Sequence, residues 1–434
     1  MIGGKVLDKR VYKNDKTKEE TIFTQLDSGL KVYIIQKKGY NKKHAIFATN
    51  YGSNDNKFIP INEKEVIQVP EGIAHFLEHK LFEEPEGNIF EQFSRIGTDV
   101  NAYTTFNQTA YLFSCTDNFY DSLKLLIEFV QRPYFTDENV EKEKGIIAQE
   151  IKMYEDDPGW RVFFNTLKGM YFEHPVKIDI AGTIETIHNI DKETLYKCYN
   201  TFYNPKNMVL VLVGDISYEK AIEVIESVER KDFDSEEKII RMYPEEKKGV
   251  LENYIEESLI TSMPLFAIGF KDENINCVGE EFIKKEIETN ILLDMLFGQS
   301  SEFYQELYNE GLIDGSFGGQ YSGYKHYGHS IISGQSNKPE VVTDKITAYI
   351  KTLKKSGLSK EDFNRIKKKS IGSNLMGFNS VEYIANNFVN YYFLDFLFLN
   401  YLDIFEKITY EDVLSRFHMH FNGDNYVLSV VKPV

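Results

Sequence analysis

Residues 190–210 read Ile190-Asp191-Lys192-Glu193-Thr194-Leu195-Tyr196-Lys197-Cys198-Tyr199-Asn200-Thr201-Phe202-Tyr203-Asn204-Pro205-Lys206-Asn207-Met208-Val209-Leu210. The spacing predicts a helix from Asp191 to Tyr203, then a buried strand in the apolar run Met208 to Val213 that ends at Gly214-Asp215. The same pattern returns at a constant offset of 218: Ile408-Thr409, Phe421-Asn422, Asn425 and Val427-Leu428 stand for Ile190-Asp191, Tyr203-Asn204, Asn207 and Val209-Leu210. Phe135-Thr136-Asp137-Glu138-Asn139-Val140 likewise corresponds to Leu358-Ser359-Lys360-Glu361-Asp362-Phe363 at an offset of 223. Two α+β domains of one ancestry follow, each a mainly antiparallel sheet with helices packed on it. The charge-rich, aperiodic residues 233–250 separate residues 1–232 from 251–434.

Around this repeat the chain alternates strands and helices. Strands are expected between residues 21 and 53, and a hairpin around Asn107. Helices are expected at Asn88 to Ile96, Phe119 to Val130 and Thr136 to Tyr154. With 434 residues, 42% of them hydrophobic, burial is not limiting. Cys115, Cys198 and Cys277 are odd in number and lack C-x-x-C spacing, which points to buried thiols in a reducing compartment. The segment Met1 to Arg10 has no secretory core, so the protein is expected in the cytoplasm. Phe388 to Phe405 is interrupted by Asn390, Asp395, Asn400 and Asp403, and reads as a buried or partner-facing helix rather than a membrane span. The excess of 67 acidic over 50 basic residues weighs against nucleic acid, whose phosphates require concentrated positive charge.

The chemistry concentrates in His75-Phe76-Leu77-Glu78-His79. On a helix beginning near Pro70, His75 and His79 stand one turn apart on one face, where both imidazoles reach one metal ion. The order H-x-x-E-H is the inverzincin signature. A hydrolytic zinc takes three protein ligands and leaves a fourth position open. Glu143 and Glu150, seven residues apart on one face of a long helix, are the candidates for the third. Glu78, beside the metal, is placed to act as general base. The second copy of the motif helix is expected near Phe297 to Phe303, which has no histidine, and the copy of Glu150 near Ser373. Elsewhere, His326 and His329 read as a surface turn, His418 and His420 as helix-flanking residues, and Tyr391, Tyr392, Phe393, Phe396 and Phe398 as core.

His75 to His79 followed by Val140-Glu141-Lys142-Glu143-Lys144-Gly145-Ile146-Ile147-Ala148-Gln149-Glu150 resembles the pitrilysin and insulinase family of zinc peptidases. The resemblance implies one zinc per chain on His75, His79 and Glu150, with Glu143 a supporting carboxylate and Glu78 the catalytic base. It implies two homologous α/β-sandwich halves facing each other across a cavity, and peptide substrates that lie along Asn101, Ala102 and Tyr103. Members that cleave alone carry an arginine and, seven residues later, a tyrosine in the second half. The matching window here, Glu306-Leu307-Tyr308-Asn309-Glu310-Gly311-Leu312-Ile313-Asp314, has no arginine and no tyrosine at its end. In this the chain is similar to the zinc-bearing, YmfH-like subunit of bacterial two-subunit members. A homologous partner supplying arginine and tyrosine, or a second copy in a homodimer, is therefore expected. Tyr308, Tyr321 or Tyr324 acting in place of the missing tyrosine is the alternative within one chain. A metal-binding scaffold without proteolysis is the alternative function.

Overall fold

The computed structural model describes residues 8–85, 87–230, 238–423 and 425–434. The apolar run after Asn207 forms strand Met208–Gly214, buried along its whole length. It lies in the middle of a seven-stranded sheet ordered Arg10–Lys13, Glu20–Gln25, Lys31–Gln36, Met208–Gly214, Lys43–Thr49, Thr109–Cys115, Asp99–Thr104. Met208–Gly214 runs parallel to Lys31–Gln36, and every other pairing in the sheet is antiparallel. Asp191 caps helix Lys192–Phe202 by accepting from the Thr194 amide, as the sequence predicts.

A second sheet, of five strands, is ordered Tyr254–Leu259, Tyr426–Pro433, Leu265–Lys271, Tyr327–Gln335, Gly318–Tyr324. Its first pair is parallel and the remainder antiparallel. Strand for strand, this repeats Lys31–Gln36, Met208–Gly214, Lys43–Thr49, Thr109–Cys115, Asp99–Thr104 in order and direction. The sequence repeat is therefore a repeat of topology.

The spatial units do not follow the linear division at residues 233–250. One unit comprises Met1–Gln149, Asp179–Met242 and Leu375–Phe393, the other Glu150–Ile178, Tyr243–Asn374 and Leu394–Val434. The halves exchange a helix. Pro158–Met170, from the first half of the sequence, packs on Tyr426–Pro433 and Leu265–Lys271. Two glycines let it approach: a Cβ on Gly269 would lie 2.3 Å from Met170 Cε, and one on Gly169 2.6 Å from Val427 Cγ2. In return Val381–Tyr392 packs on Met208–Gly214 and Lys43–Thr49, with the rings of Phe388 and Tyr392 4.7 and 5.8 Å from Tyr33. Both divisions fall inside corresponding long helices, Asp137–Glu155 and Lys360–Gly377. Each such helix spans roughly 27–29 Å at 1.5 Å per residue, enough to carry the following helix off its own sheet.

Three further expectations are corrected. Part of the expected linker, residues 233–237, lies outside the described residues, while Ile240–Arg241 pairs with Lys57–Ile59 and Arg241 bonds Asp55 at 2.9 Å. Phe297 to Phe303 is no helix of its own but the joint between Gly279–Phe297 and Glu302–Asn309. By topology the motif helix corresponds to Gly279–Phe297, which packs on Gly318–Tyr324 as the motif helix packs on Asp99–Thr104. Phe388 to Phe405 divides among Val381–Tyr392, a 3₁₀ turn and Tyr401–Lys407, because Asp395 adopts a left-handed conformation at φ 62°. No helix among the described residues is long and apolar enough to cross a membrane. Cys115, Cys198 and Cys277 are buried and free.

His329 belongs to the core rather than to a surface turn. It lies on strand Tyr327–Gln335 with Nδ1 2.9 Å from the Tyr171 hydroxyl. His420 is equally buried in the last turn of Tyr410–His420, 2.6 Å from the Ser330 hydroxyl. Burial pushes the imidazoles of His44 and His329 down to about 4, and burial with the Arg416 charge takes His420 to about 3. In the unfolded chain each titrates near 6.5. Between those values the unfolded state binds more protons, so stability falls as pH drops from 6.5 towards 4. Urea midpoints of metal-stripped protein at pH 7.5, 5.5 and 4.5 are expected to decline most steeply across that window. A flat profile refutes the assignment of these histidines as neutral.

Candidate metal centre

The motif helix spans Ile73–Leu81, beginning three residues later than Pro70 suggests. Gly72 caps it with φ 87°, a conformation that L side chains resist. A Cβ there would also sit 2.3 Å from the Ala181 carbonyl oxygen, so the turn before the helix is locked against residues 181–182. The helix is buried from Ile73 to Glu78, with Phe76 and Leu77 in the core. That anchoring fixes the opposite face, where the rings of His75 and His79 meet edge-on with centroids 4.5 Å apart.

The second contributor is helix Asp137–Glu155, a single element that carries both Glu143 and Glu150. Ligand atoms of His75, His79 and Glu150 all lie within 4.8 Å of one another. Glu143 takes a different position, with Oε1 3.1 Å from Nδ1 of His79. A carboxylate only accepts, so His79 donates from Nδ1, which leaves Nε2 as the nitrogen for a metal. Orientation of this kind is what a metal-ligating histidine requires. The two glutamates left as alternatives by their spacing thus separate: Glu150 joins the histidines, and Glu143 holds one of them.

Two histidines and one carboxylate are the donor set of a hydrolytic zinc, which leaves a fourth position open. The residues therefore fit zinc. Glu78 is buried and accepts a 2.7 Å hydrogen bond at Oε2 from the Thr104 hydroxyl. Glu150 is held by the hydroxyl of Tyr154, which donates to Oε1 at 2.7 Å, and Tyr154 is itself stacked on Trp160 at 4.4 Å.

Sequence spacing assigns no role to Thr104, Tyr154 or Lys80. Tyr154 stands four residues after Glu150, a helical spacing that places the two side chains together. Thr104 closes strand Asp99–Thr104, the last strand of its sheet, which among the described residues pairs only with Thr109–Cys115. On that strand Asn101 is exposed and Ala102 half-buried, while the Tyr103 hydroxyl donates to Asn386 at 3.2 Å. Burial raises the Tyr103 phenol to about 12. The phenol is therefore a neutral structural group, and the backbone edge is what the strand offers outward. In the second half, Tyr308 is exposed on Glu302–Asn309, whereas the buried Tyr321 hydroxyl is committed to Asp272 at 2.8 Å. Tyr324 ends the edge strand Gly318–Tyr324.

Residues 68–184 match the family model described as insulinase (peptidase family M16), and residues 189–370 match the peptidase M16 inactive domain. The chain is 42% identical over 419 residues to the uncharacterized zinc protease YmfH of Bacillus subtilis, covering 96% of this chain and 97% of the relative. A putative M16-like peptidase from Alicyclobacillus acidocaldarius superposes with a TM-score of 0.92 at 37% identity, covering 99% of each chain. A protease from Helicobacter pylori shares the fold, with a TM-score of 0.80 at 20% identity over 95% of this chain and 99% of that one.

Proposed function

The chain belongs to the insulinase (M16) family of peptidases, and from that premise we propose that it is a zinc-dependent endopeptidase of short or unfolded peptides, working as the zinc-bearing subunit of a two-chain enzyme. The observation that supports this most is the convergence of His75, His79 and Glu150 beside a glutamate, Glu78, that is held by Thr104 instead of joining them. A bound zinc lowers the pKa of a coordinated water to about 7 and polarises a carbonyl as a Lewis acid.

The chain's own groups supply the rest. Glu78 takes a proton from the attacking water and passes it to the leaving amine, while Thr104 keeps the carboxylate in place. An extended peptide adds to the free edge at Asn101, Ala102 and Tyr103 through backbone hydrogen bonds, which read main chain and so favour unfolded substrates. The window Glu306 to Asp314 supplies no arginine, and we assign the missing substrate-binding arginine and tyrosine to a homologous partner chain, with a homodimer as the other arrangement. Three buried free thiols suit a cytoplasmic setting.

The purified chain is expected to hold about one zinc. Mixed with a homologous chain that lacks H-x-x-E-H but carries the arginine and tyrosine, it should cleave an internally quenched unfolded peptide, lose that activity to a chelator and regain it with zinc. Zinc binding without cleavage in the mixture supports the non-proteolytic scaffold instead, a reading favoured by the empty arginine position. A chain that takes up no zinc overturns both.

A further inference from the structure

We propose that Lys80 is a positioning residue of the metal centre: its ammonium fixes Glu143 and, through Glu143, the imidazole of His79. The inference rests on the zinc reading above and adds a residue to it. Lys80 directly follows the second histidine, in a run otherwise apolar at Leu77, Leu81 and Phe82. Its side chain is 0% exposed. Lysine is almost never buried to this degree unless it is paired, and here it is paired twice. Nζ forms an ion pair with Glu83, one turn on, and stands 3.7 Å from Oε2 of Glu143.

The geometry divides the work of Glu143 between its two oxygens. Oε1 meets His79 Nδ1 at 3.1 Å and Oε2 faces the lysine. The ion pair at Oε2 opposes rotation of the carboxylate away from the imidazole, so the direction of His79 Nε2 is influenced by a charge on the histidine's own helix. Glu83 in turn faces Lys142 at 3.8 Å. The series Lys142, Glu83, Lys80, Glu143, His79 thus ties Ile73–Leu81 to Asp137–Glu155 by groups of alternating character. The exposed Lys142 end of it is worth little. The buried Lys80 end is the part that counts, since removing one partner of a buried pair strands the other.

Zinc dissociation constants measured on the full chain by competition with a chromophoric chelator test this, with thermal unfolding of the metal-free proteins alongside. Lys80→Met and Lys80→Gln are each expected to weaken zinc about 10–100-fold, the range for residues that orient a ligand. Glu143→Gln should do the same. The double variant Glu143→Gln with Lys80→Met should bind zinc no more weakly than Glu143→Gln alone, because the lysine acts only through that carboxylate. In metal-free protein labelled with ¹⁵N-histidine, His79 should lose its fixed Nδ1–H tautomer in the Lys80 variants. An unchanged zinc constant in both folded Lys80 variants overturns the proposal, as do losses that add in the double variant. If the single Lys80 variants fail to fold, the double variant should still fold, since an amide needs no counter-ion; its failure also overturns the proposal. A wild type without zinc removes the metal centre together with this role. Zinc lost in His75→Ala but unaffected at Lys80 removes the role alone.

Discussion

Glu78→Gln is expected to keep about one zinc per chain while lowering kcat/KM for an unfolded peptide by ~10²–10⁴-fold, the contribution of a positioned acid–base group. The substitution is close to isosteric. The amide oxygen still accepts from Thr104, whose hydroxyl lies 2.7 Å from Oε2 in the native site, so the helix and the neighbouring histidines stay in place. What disappears is the basic oxygen. Because Glu78 stands outside the trio of His75, His79 and Glu150, the metal content should not follow the activity. Steady-state kinetics with the partner chain present, paired with metal analysis of the same preparation, separates the two quantities. Retained cleavage in a zinc-loaded Glu78→Gln protein would remove this residue from the mechanism.

Glu150→Ala should reduce zinc affinity further than Glu143→Ala does. Both residues lie on one face of Asp137–Glu155, and their spacing alone permits either to bind the ion. Their surroundings differ. Glu150 offers an oxygen within 4.8 Å of both histidine ligand atoms, whereas Glu143 is engaged with His79 Nδ1 on one side and Lys80 on the other. Removing Glu143 leaves three ligands, one of them poorly aimed, and should cost the roughly 10–100-fold of a lost orienting group. Removing Glu150 leaves two ligands, too few for a hydrolytic site, and the loss should exceed that range. Chelator competition on the two variants gives the order directly. Tighter zinc in Glu150→Ala than in Glu143→Ala would exchange their roles.

The motif and the helices around it were legible because their signals are local. His75 and His79 four residues apart, Asp191 before an apolar-patterned helix and the unbroken run Met208 to Val213 each need only a turn or a strand of chain to be read. Pro70 suggests a helix start three residues before the observed one at Ile73, because the deciding contact, Gly72 against Ala181, joins residues far apart in sequence. His329 looked exposed among glycines and aromatics. The strand that buries it becomes visible only when Leu265–Lys271 pairs beside it.

What the sequence determined by itself was the duplication of the main sheet, through a repeat at an offset of 218, and the presence of one helix with two histidines and another with two glutamates on one face. The tertiary structure decided which sheet each crossing helix covers, which glutamate joins the histidines, and that Lys80 is buried between two carboxylates. The physical reason is the same in all three. An apolar helix face has one pattern whichever sheet it lies on, and a carboxylate has one pair of oxygens whichever partner it meets. Spacing along the chain fixes the face on which a group stands, and only the packing of distant segments fixes what stands opposite.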